Sequence, residues 1–371
     1  MPAQKSTGPD DSTAIVDVLR ASVQGRTDAL GVIEASATTL VEAIGADVWC
    51  APILDPSTLL DTGGYHAYGF PEHTMPRLFE IEHVEQDDVD SLRNLARRPR
   101  PVSLLSRSTR GQLTRSTYYN DILAPLGLAD ELRVLLRYGE LIWGALVLCR
   151  ERSSPAFTRE DLAAATAIAA PASDALRQAL LLTGHDSGSV IDAPGLLMLD
   201  SGQVVRSASP TAKRWLDDLQ ETAGTLPNAV RAIAAHALAD PPQPAVRSRA
   251  RTRSGQWASL HAWRIEADGR VAVAVAIGPA DPAELAAIVL DAYGLTQRER
   301  QVTQLVLIGR STAQIAESLR LSTYTVQDHL KSIFTKTGVR SRRDLIGGLF
   351  ERHYAPQLGQ ADLSTDGRLL S

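Results

Sequence analysis

The strongest constraint on this chain lies near its C-terminus, where two apolar repeats of helical period are separated by almost nothing. In TAQIAESLRLSTYTVQDHLKSIFTK the first repeat is Ile315, Ala316 and Leu319, and the second is Val326, Leu330, Ile333 and Phe334. Spacings of three and four place each set on one helix face. The turn between them is very short, so the helices meet at close range. Ala316 is small enough to permit that approach, and Val326, ten residues later, packs between them. The pattern predicts a helix-turn-helix.

Leu295 to Phe350 read as a module of four short helices. Thr296 and Glu299 have the form of a capping box opening TQRERQVTQLVLIG, in which Val302, Leu305 and Val306 face inward and Gly309 ends the helix. TAQIAESLR is the second helix, the third starts near Thr323 and runs to about Lys336, and SRRDLIGGLF is the fourth, with Ser341 as N-cap. The outer face of the third helix carries Gln327, Asp328, Lys331, Ser332 and Lys336. The module holds nine Arg and Lys against four Asp and Glu, near +5, in a chain whose net charge is −5; the rest is therefore near −10. A basic module on an acidic body implies an anionic partner. A helix-turn-helix lays the outer face of its second helix in the DNA major groove.

The motifs then become specific. Leu295-Thr296, Arg298-Glu299, Ile315-Ala316, Leu319, Thr325-Val326, His329 and the run from Lys336 to Arg342 follow one familiar order. Over about 55 residues the segment closely resembles the LuxR-type C-terminal DNA-binding domain. The resemblance implies a four-helix domain that binds double-stranded DNA, usually as a dimer on paired half-sites. It implies base reading by Gln327, Asp328 and Lys331, and a phosphate or helix-steadying role for Thr325 and His329. Thr323, Val326 and Lys336 complete the implied DNA-binding set. Gln pairs with adenine edges, Lys with guanine O6 and N7, and Asp with the cytosine amino group. Two departures stand out: Gln327 replaces the more usual Lys or Arg, and Asp328 repels phosphate. Arg320 occupies a turn position where Gly is common, which is costly if φ is positive.

The acidic body precedes this module. TAIVDVLRASVQ and DALGVIEASATTLVEAIG read as helices and ADVWCAPILD as a strand, after which Pro52, Pro56, Gly63 and Gly64 break up the chain. An acidic run from Glu80 to Asp90 adjoins a basic run from Arg93 to Arg115, an ion-paired surface or a mobile loop, with a nucleic-acid patch disfavoured because the acidic run sits beside it. ELRVLLRYGELIWGALVLCRE reads as a β-hairpin turning at Tyr138-Gly139-Glu140. FTREDLAAATAIAAPASDALRQALL is a long helix with a Thr158–Asp161 capping box, bent or ended at Pro171. Residues 27–182 resemble a GAF domain, through the first helix, the strand ADVWCAPILD, the hairpin and the FTREDLAA start of the long helix. Further on, GLLMLD and GQVVRSAS read as strands, PTAKRWLDDL and NAVRAIAAHAL as helices, and AVRSRARTRSG, QWASLHAWRIEA and RVAVAVAIG as strands. Residues 190–280 resemble a PAS fold, which implies a mixed or antiparallel sheet beside a small pocket. No internal repeat is visible.

The expected fold class is multidomain α+β: GAF-like and PAS-like sheet-plus-helix sensory domains followed by an all-α helix-turn-helix domain. The expected divisions are a disordered tail 1–12, a GAF-like domain 13–183, a linker 184–189, a PAS-like domain 190–280, a linker helix 281–294, the DNA-binding domain 295–354 and a flexible tail 355–371. Cys149 is followed by Arg150, not the His of a bilin site, and His261 reads as a plain histidine rather than a haem ligand. Cys50 and Cys149 read as inert buried thiols rather than a redox pair. No G-x-S-x-G, no G-x-x-x-x-G-K-[ST] and no His-rich metal spacing occurs. The chain is therefore expected to be no enzyme and to hold no cofactor. Its expected partners are double-stranded DNA, a second copy of itself and an unidentified small-molecule effector. No apolar run spans a bilayer and no signal peptide opens the chain, so a cytoplasmic location is expected. A rival reading makes the body a scaffold or dimerisation platform without a ligand.

Overall fold

The computed structural model describes residues 9–68, 70–85, 87–182, 191–222, 224–239, 245–267, 269–281, 290 and 292–353. Of the expected disordered tail 1–12, residues 9–12 are described and open a helix; the rest of it, the tail 355–371, the linker 184–189 and most of 281–294 lie outside these residues. The chain divides into two compact units, one of residues 1–180 and 187–280, the other of residues 181–186 and 281–371.

The first unit opens with α1 (Pro9–Val23) and α2 (Ala29–Ile44), followed by β1 (Val48–Leu54) and β2 (Asp61–Tyr68). The short helices α3 (Met75–Glu80) and α4 (Leu92–Ala96), β3 (Val102–Leu104) and α5 (Leu105–Ser108) lead to β4 (Leu128–Tyr138), β5 (Leu141–Glu151) and the long α6 (Arg159–Leu182). Then come β6 (Gly195–Asp200), β7 (Val205–Ala208), α7 (Pro210–Leu219), α8 (Asn228–Leu238), β8 (Val246–Arg251), β9 (Trp257–Ala267) and β10 (Arg270–Pro279). The strands form two antiparallel sheets, ordered β2-β1-β5-β4-β3 and β7-β6-β10-β9-β8. Numbered from its own first strand, the second sheet has the order of the first. The repeat that the sequence conceals is thus one of topology.

The hairpin turns where the sequence places it: Tyr138 pairs with Leu141 and Gly139 sits at φ 59°. Gly63 and Gly64 do not break the chain; both lie inside β2, with Gly64 opposite Pro52. Gly64 has φ +118°, and a Cβ there would stand 2.2 Å from the Ala51 carbonyl oxygen. Glycine is what lets this strand lie against its neighbour. Pro52 is tolerated in β1 because the ladder is irregular on both sides of it. The Thr158–Asp161 capping box is formed in both directions, at 2.9 and 3.1 Å. Pro171 lies inside an uninterrupted α6.

The two sheets share one core. Phe79, Ile81 and Ile122 belong to the same buried cluster as Trp215, Val230, Ile233, Leu260 and Val275. Helix α8 joins them. Every residue from Asn228 to Ala235 is buried, as expected of a helix apolar on most of its circumference. Asn228 Nδ2 donates to the Gly64 carbonyl at 3.2 Å, His236 Nδ1 meets the His83 carbonyl at 3.0 Å, and Arg231 pairs with Glu72. Arg249 binds Asp55 at 2.9 Å. The expected GAF-like and PAS-like parts, to residue 180 and from 191 to 280, therefore make one compact body.

The acidic run is partly ion-paired, through one arginine of the basic run and one that precedes both runs. Arg98 binds Asp90 at 2.8 Å, and Arg77 joins Glu80, Glu85 and Asp121. Buried Asp88 accepts from the Ser116 hydroxyl at 2.7 Å and from the backbone N–H groups of Thr117 and Tyr118. Behind them Arg133 is buried between Glu131 and Glu82, under the ring of Tyr118. Burial pushes the Glu131 carboxyl up to about 7, and Arg133 limits the rise.

The second unit contains α9 (Gln297–Leu307), α10 (Thr312–Leu319), α11 (Thr323–Thr337) and α12 (Arg342–His353). Each of the first three starts at a side-chain cap, from Thr296, Ser311 and Ser322. Their buried faces meet in a small core of Leu295, Val302, Val306, Ile315, Ala316, Val326, Leu330, Ile333 and Leu345.

Candidate nucleic-acid interface

The α10–α11 corner is three residues long, Arg320-Leu321-Ser322. Arg320 adopts the left-handed conformation, φ 53° and ψ 50°, and the Leu321 N–H returns to the Ala316 carbonyl at 2.8 Å. This closure satisfies a carbonyl at the helix end that has no partner within the helix. Ser322 then caps α11, its hydroxyl accepting from the Thr325 N–H at 3.0 Å and lying 2.8 Å from the Thr325 hydroxyl. Val326 is 0% exposed and fills the corner.

A second device sets the rotation of α11. Glu299 on α9 is buried, yet its carboxylate is fully engaged. It accepts from the Thr296 N–H at 2.7 Å, from the Ser332 hydroxyl at 2.6 Å and from the Lys336 ammonium at 2.6 Å. Burial alone would raise its pKa; the donors from Lys336, Ser332 and Thr296 outweigh it and hold the carboxyl at about 2. Arg298 adds a bond of 2.9 Å to the Leu319 carbonyl, tying α9 to the end of α10.

These contacts divide the polar face of α11. Ser332 and Lys336, four residues apart, turn toward Glu299. Lys336, assigned to DNA from the sequence, is in the structure the cationic partner of a buried carboxylate. Val326, assigned likewise, has no side-chain surface to offer. Gln327, Asp328 and Lys331 remain outward, with Asp328 and Lys331 3.7 Å apart and their side chains 51% and 76% exposed. Thr323 is exposed, and Thr325 and His329 are half-buried beside this stripe. Sequence reasoning passed over Ser322, whose cap fixes the first turn, and Tyr324, which stands 70% exposed on the same side. Helical spacing was the available signal, since 324, 327, 328 and 331 are related by three, four and seven.

Among the described residues no three His, Cys, Asp or Glu side chains gather as a metal site, and no helix is long and apolar enough to cross a membrane. Cys50 and Cys149 are free and buried on neighbouring strands, and burial with Glu131 nearby pushes the Cys149 thiol well up. His261 lies 3.1 Å from the Ser259 hydroxyl. A cavity of about 210 Å³ lies in the first unit between Glu72 and Met75 on one side and Asn228 and Arg231 on the other.

A family model described as bacterial regulatory proteins, luxR family (GerE), matches residues 294–347. Spore germination protein GerE of Bacillus subtilis (strain 168) is 36% identical over 52 residues, which are 14% of this chain and 70% of that protein. Likenesses among solved structures are faint. The chromophore-binding domain of bacteriophytochrome RpBphP3 from R. palustris is 13% identical over 46% of this chain and 62% of that one, with a TM-score of 0.28. The longer RpBphP3 structure is 11% identical over 75% and 64% of the two chains, with a TM-score of 0.33. A VqmA–ligand–DNA complex from Vibrio cholera gives 18% identity, 48% and 91% coverage and a TM-score of 0.21. Scores this low leave the sheet body described by its own topology alone.

Proposed function

Because the chain belongs to the luxR family of bacterial regulatory proteins, we propose that it regulates transcription by laying α11 in the major groove of double-stranded DNA. The observation that carries this reading is the division of α11. A buried carboxylate takes Ser332 and Lys336, and leaves Gln327, Asp328 and Lys331 outward on a helix of fixed rotation. Rotational order is what base reading needs, because a bidentate contact to a base edge tolerates little misplacement. Gln327 would meet adenine, Asp328 cytosine and Lys331 guanine, with Thr323, Thr325 and His329 against the backbone.

In this reading the sheet body is a GAF-like and PAS-like sensor of a small-molecule effector, the chain pairs with a second copy of itself, and it catalyses nothing. Support comes from the hairpin, the capped long helix, the two antiparallel sheets and a cavity lined in part by buried Arg231. Support for pairing of two copies comes from the second sheet, where Leu196 and Trp263 are 52% and 36% exposed. An effector in the body would shift the population of arrangements in which two α11 helices meet paired half-sites.

The test is an unbiased selection of duplexes bound by the full-length chain, followed by a salt titration on the best site. Enrichment of one paired motif, with affinity falling steeply as salt rises, is expected. Failure to enrich any motif at low salt would defeat the reading.

A further inference from the structure

Among the described residues Tyr324 is the most exposed large apolar side chain, at 70%. It stands in the first turn of α11, one residue after the helix begins. With Gln327, Asp328 and Lys331 it forms a single outward stripe, while Val326, Leu330 and Ile333 face the core. Side chains on a helix lean toward its N-terminus. The ring of Tyr324 therefore leads the stripe at the end of the helix that makes base contacts in a helix-turn-helix complex.

The other three stripe residues offer only polar groups. The major-groove edges they match are those of adenine, cytosine and guanine. The one apolar group exposed in that groove is the thymine 5-methyl, and an aromatic or aliphatic side chain is its complement. A flat ring with few rotamers covers such a methyl at small entropic cost. We propose that Tyr324 is a fourth reading residue, whose ring covers a thymine methyl in each half-site. The proposal rests on the DNA-reading role of α11. It adds to that role a base that none of Gln327, Asp328 and Lys331 selects.

The same ring carries a hydroxyl, which would bond a phosphate without regard to sequence. The two roles separate by substitution. Wild type, Tyr324→Phe and Tyr324→Ala, each full length and each checked for an unchanged melting temperature, are titrated against the best selected duplex. Every thymine of that duplex is then replaced in turn by deoxyuridine, which lacks only the methyl. For wild type, one replacement per half-site should weaken binding about fourfold, the effect of one buried methyl. Tyr324→Phe should retain both the affinity and this sensitivity. Tyr324→Ala should bind roughly tenfold more weakly and be indifferent to the same replacement. Equal wild-type binding at every deoxyuridine position overturns the proposal, and so does a Phe variant as weak as the Ala variant, the mark of a phosphate contact. Failure of the wild type to select any motif is a distinct result, and removes the DNA-reading role together with the proposal.

Discussion

Arg320 holds a backbone conformation that its own side chain opposes. At φ 53° an L-residue with a Cβ pays roughly 1–2 kcal/mol. Arg320→Gly should therefore stabilise the α10–α11 corner by about 0.5–1 kcal/mol, once the greater freedom of glycine in the unfolded chain is deducted. Urea unfolding of the variant checks this, and a loss of stability would show that the arginine side chain contributes more than its strain removes. Lys331 makes its contribution outward. Its side chain is 76% exposed and only loosely paired with Asp328, so Lys331→Ala should leave stability alone. On the best DNA site it should cost about 1–3 kcal/mol and relax preference at one base position. An unchanged preference, measured by repeating the selection, would move Lys331 to a phosphate role. The turn at Arg320 and the outward place of Lys331 were legible from their positions in the motif. The Lys336–Glu299 contact was not, because nothing in the spacing of Lys336 reveals that a buried carboxylate takes its ammonium.

Between elements, the Glu299 carboxylate is the device that joins α9 to α11. It is depressed to about 2 in the fold, against about 4.3 in an unfolded chain. A depressed carboxylate adds stability that is present above its unfolded pKa and lost as pH falls through the folded one. The second unit should hold its melting temperature above about pH 5 and lose it progressively toward pH 2. In Glu299→Gln the melting temperature should be lower at neutral pH and flatter across the acid range. An equally steep acid limb in that variant would assign the titration to other carboxylates. The capping half of this device, Thr296 with Glu299, is written in the sequence as a pair three residues apart. The clamping half spans 37 residues and appears only once the helices are packed.

At the scale of the molecule, α8 determines what can fold alone. Its buried residues pack on both sheets, and Asn228, Arg231 and His236 bind the first-sheet half directly. Cutting the body between the two halves would expose that apolar surface, at a cost of about 25 cal/mol per Å². Fragments 13–183 and 190–280 made separately should therefore be loosely packed and bind a hydrophobic dye. Residues 1–280 together should unfold in one cooperative transition. Two independent, cooperative transitions from the separate fragments would show that the shared core is dispensable. Residues 281–354, by contrast, carry the complete apolar set of the helical module and should fold alone, as circular dichroism with thermal melting would report.

What the chain determines by itself is local. Helical period, the capping box at Thr296, the two-residue hairpin turn at Gly139, the strands β1, β4 and β5 of the first sheet and those of the second follow from neighbours within a few residues, where sterics and hydrogen bonding need no distant partner; β2 and β3 do not. The outward stripe of α11 is legible for the same reason. The packed structure alone decides which polar groups find each other across long separations. It places Arg133 between Glu82 and Glu131, Gly64 against Pro52, α8 in a core common to two sheets, and Lys336 on Glu299. In each case the cost of burying a charge or a bulky backbone neighbour is met by a group far away in sequence, and that pairing exists only when the tertiary contacts do.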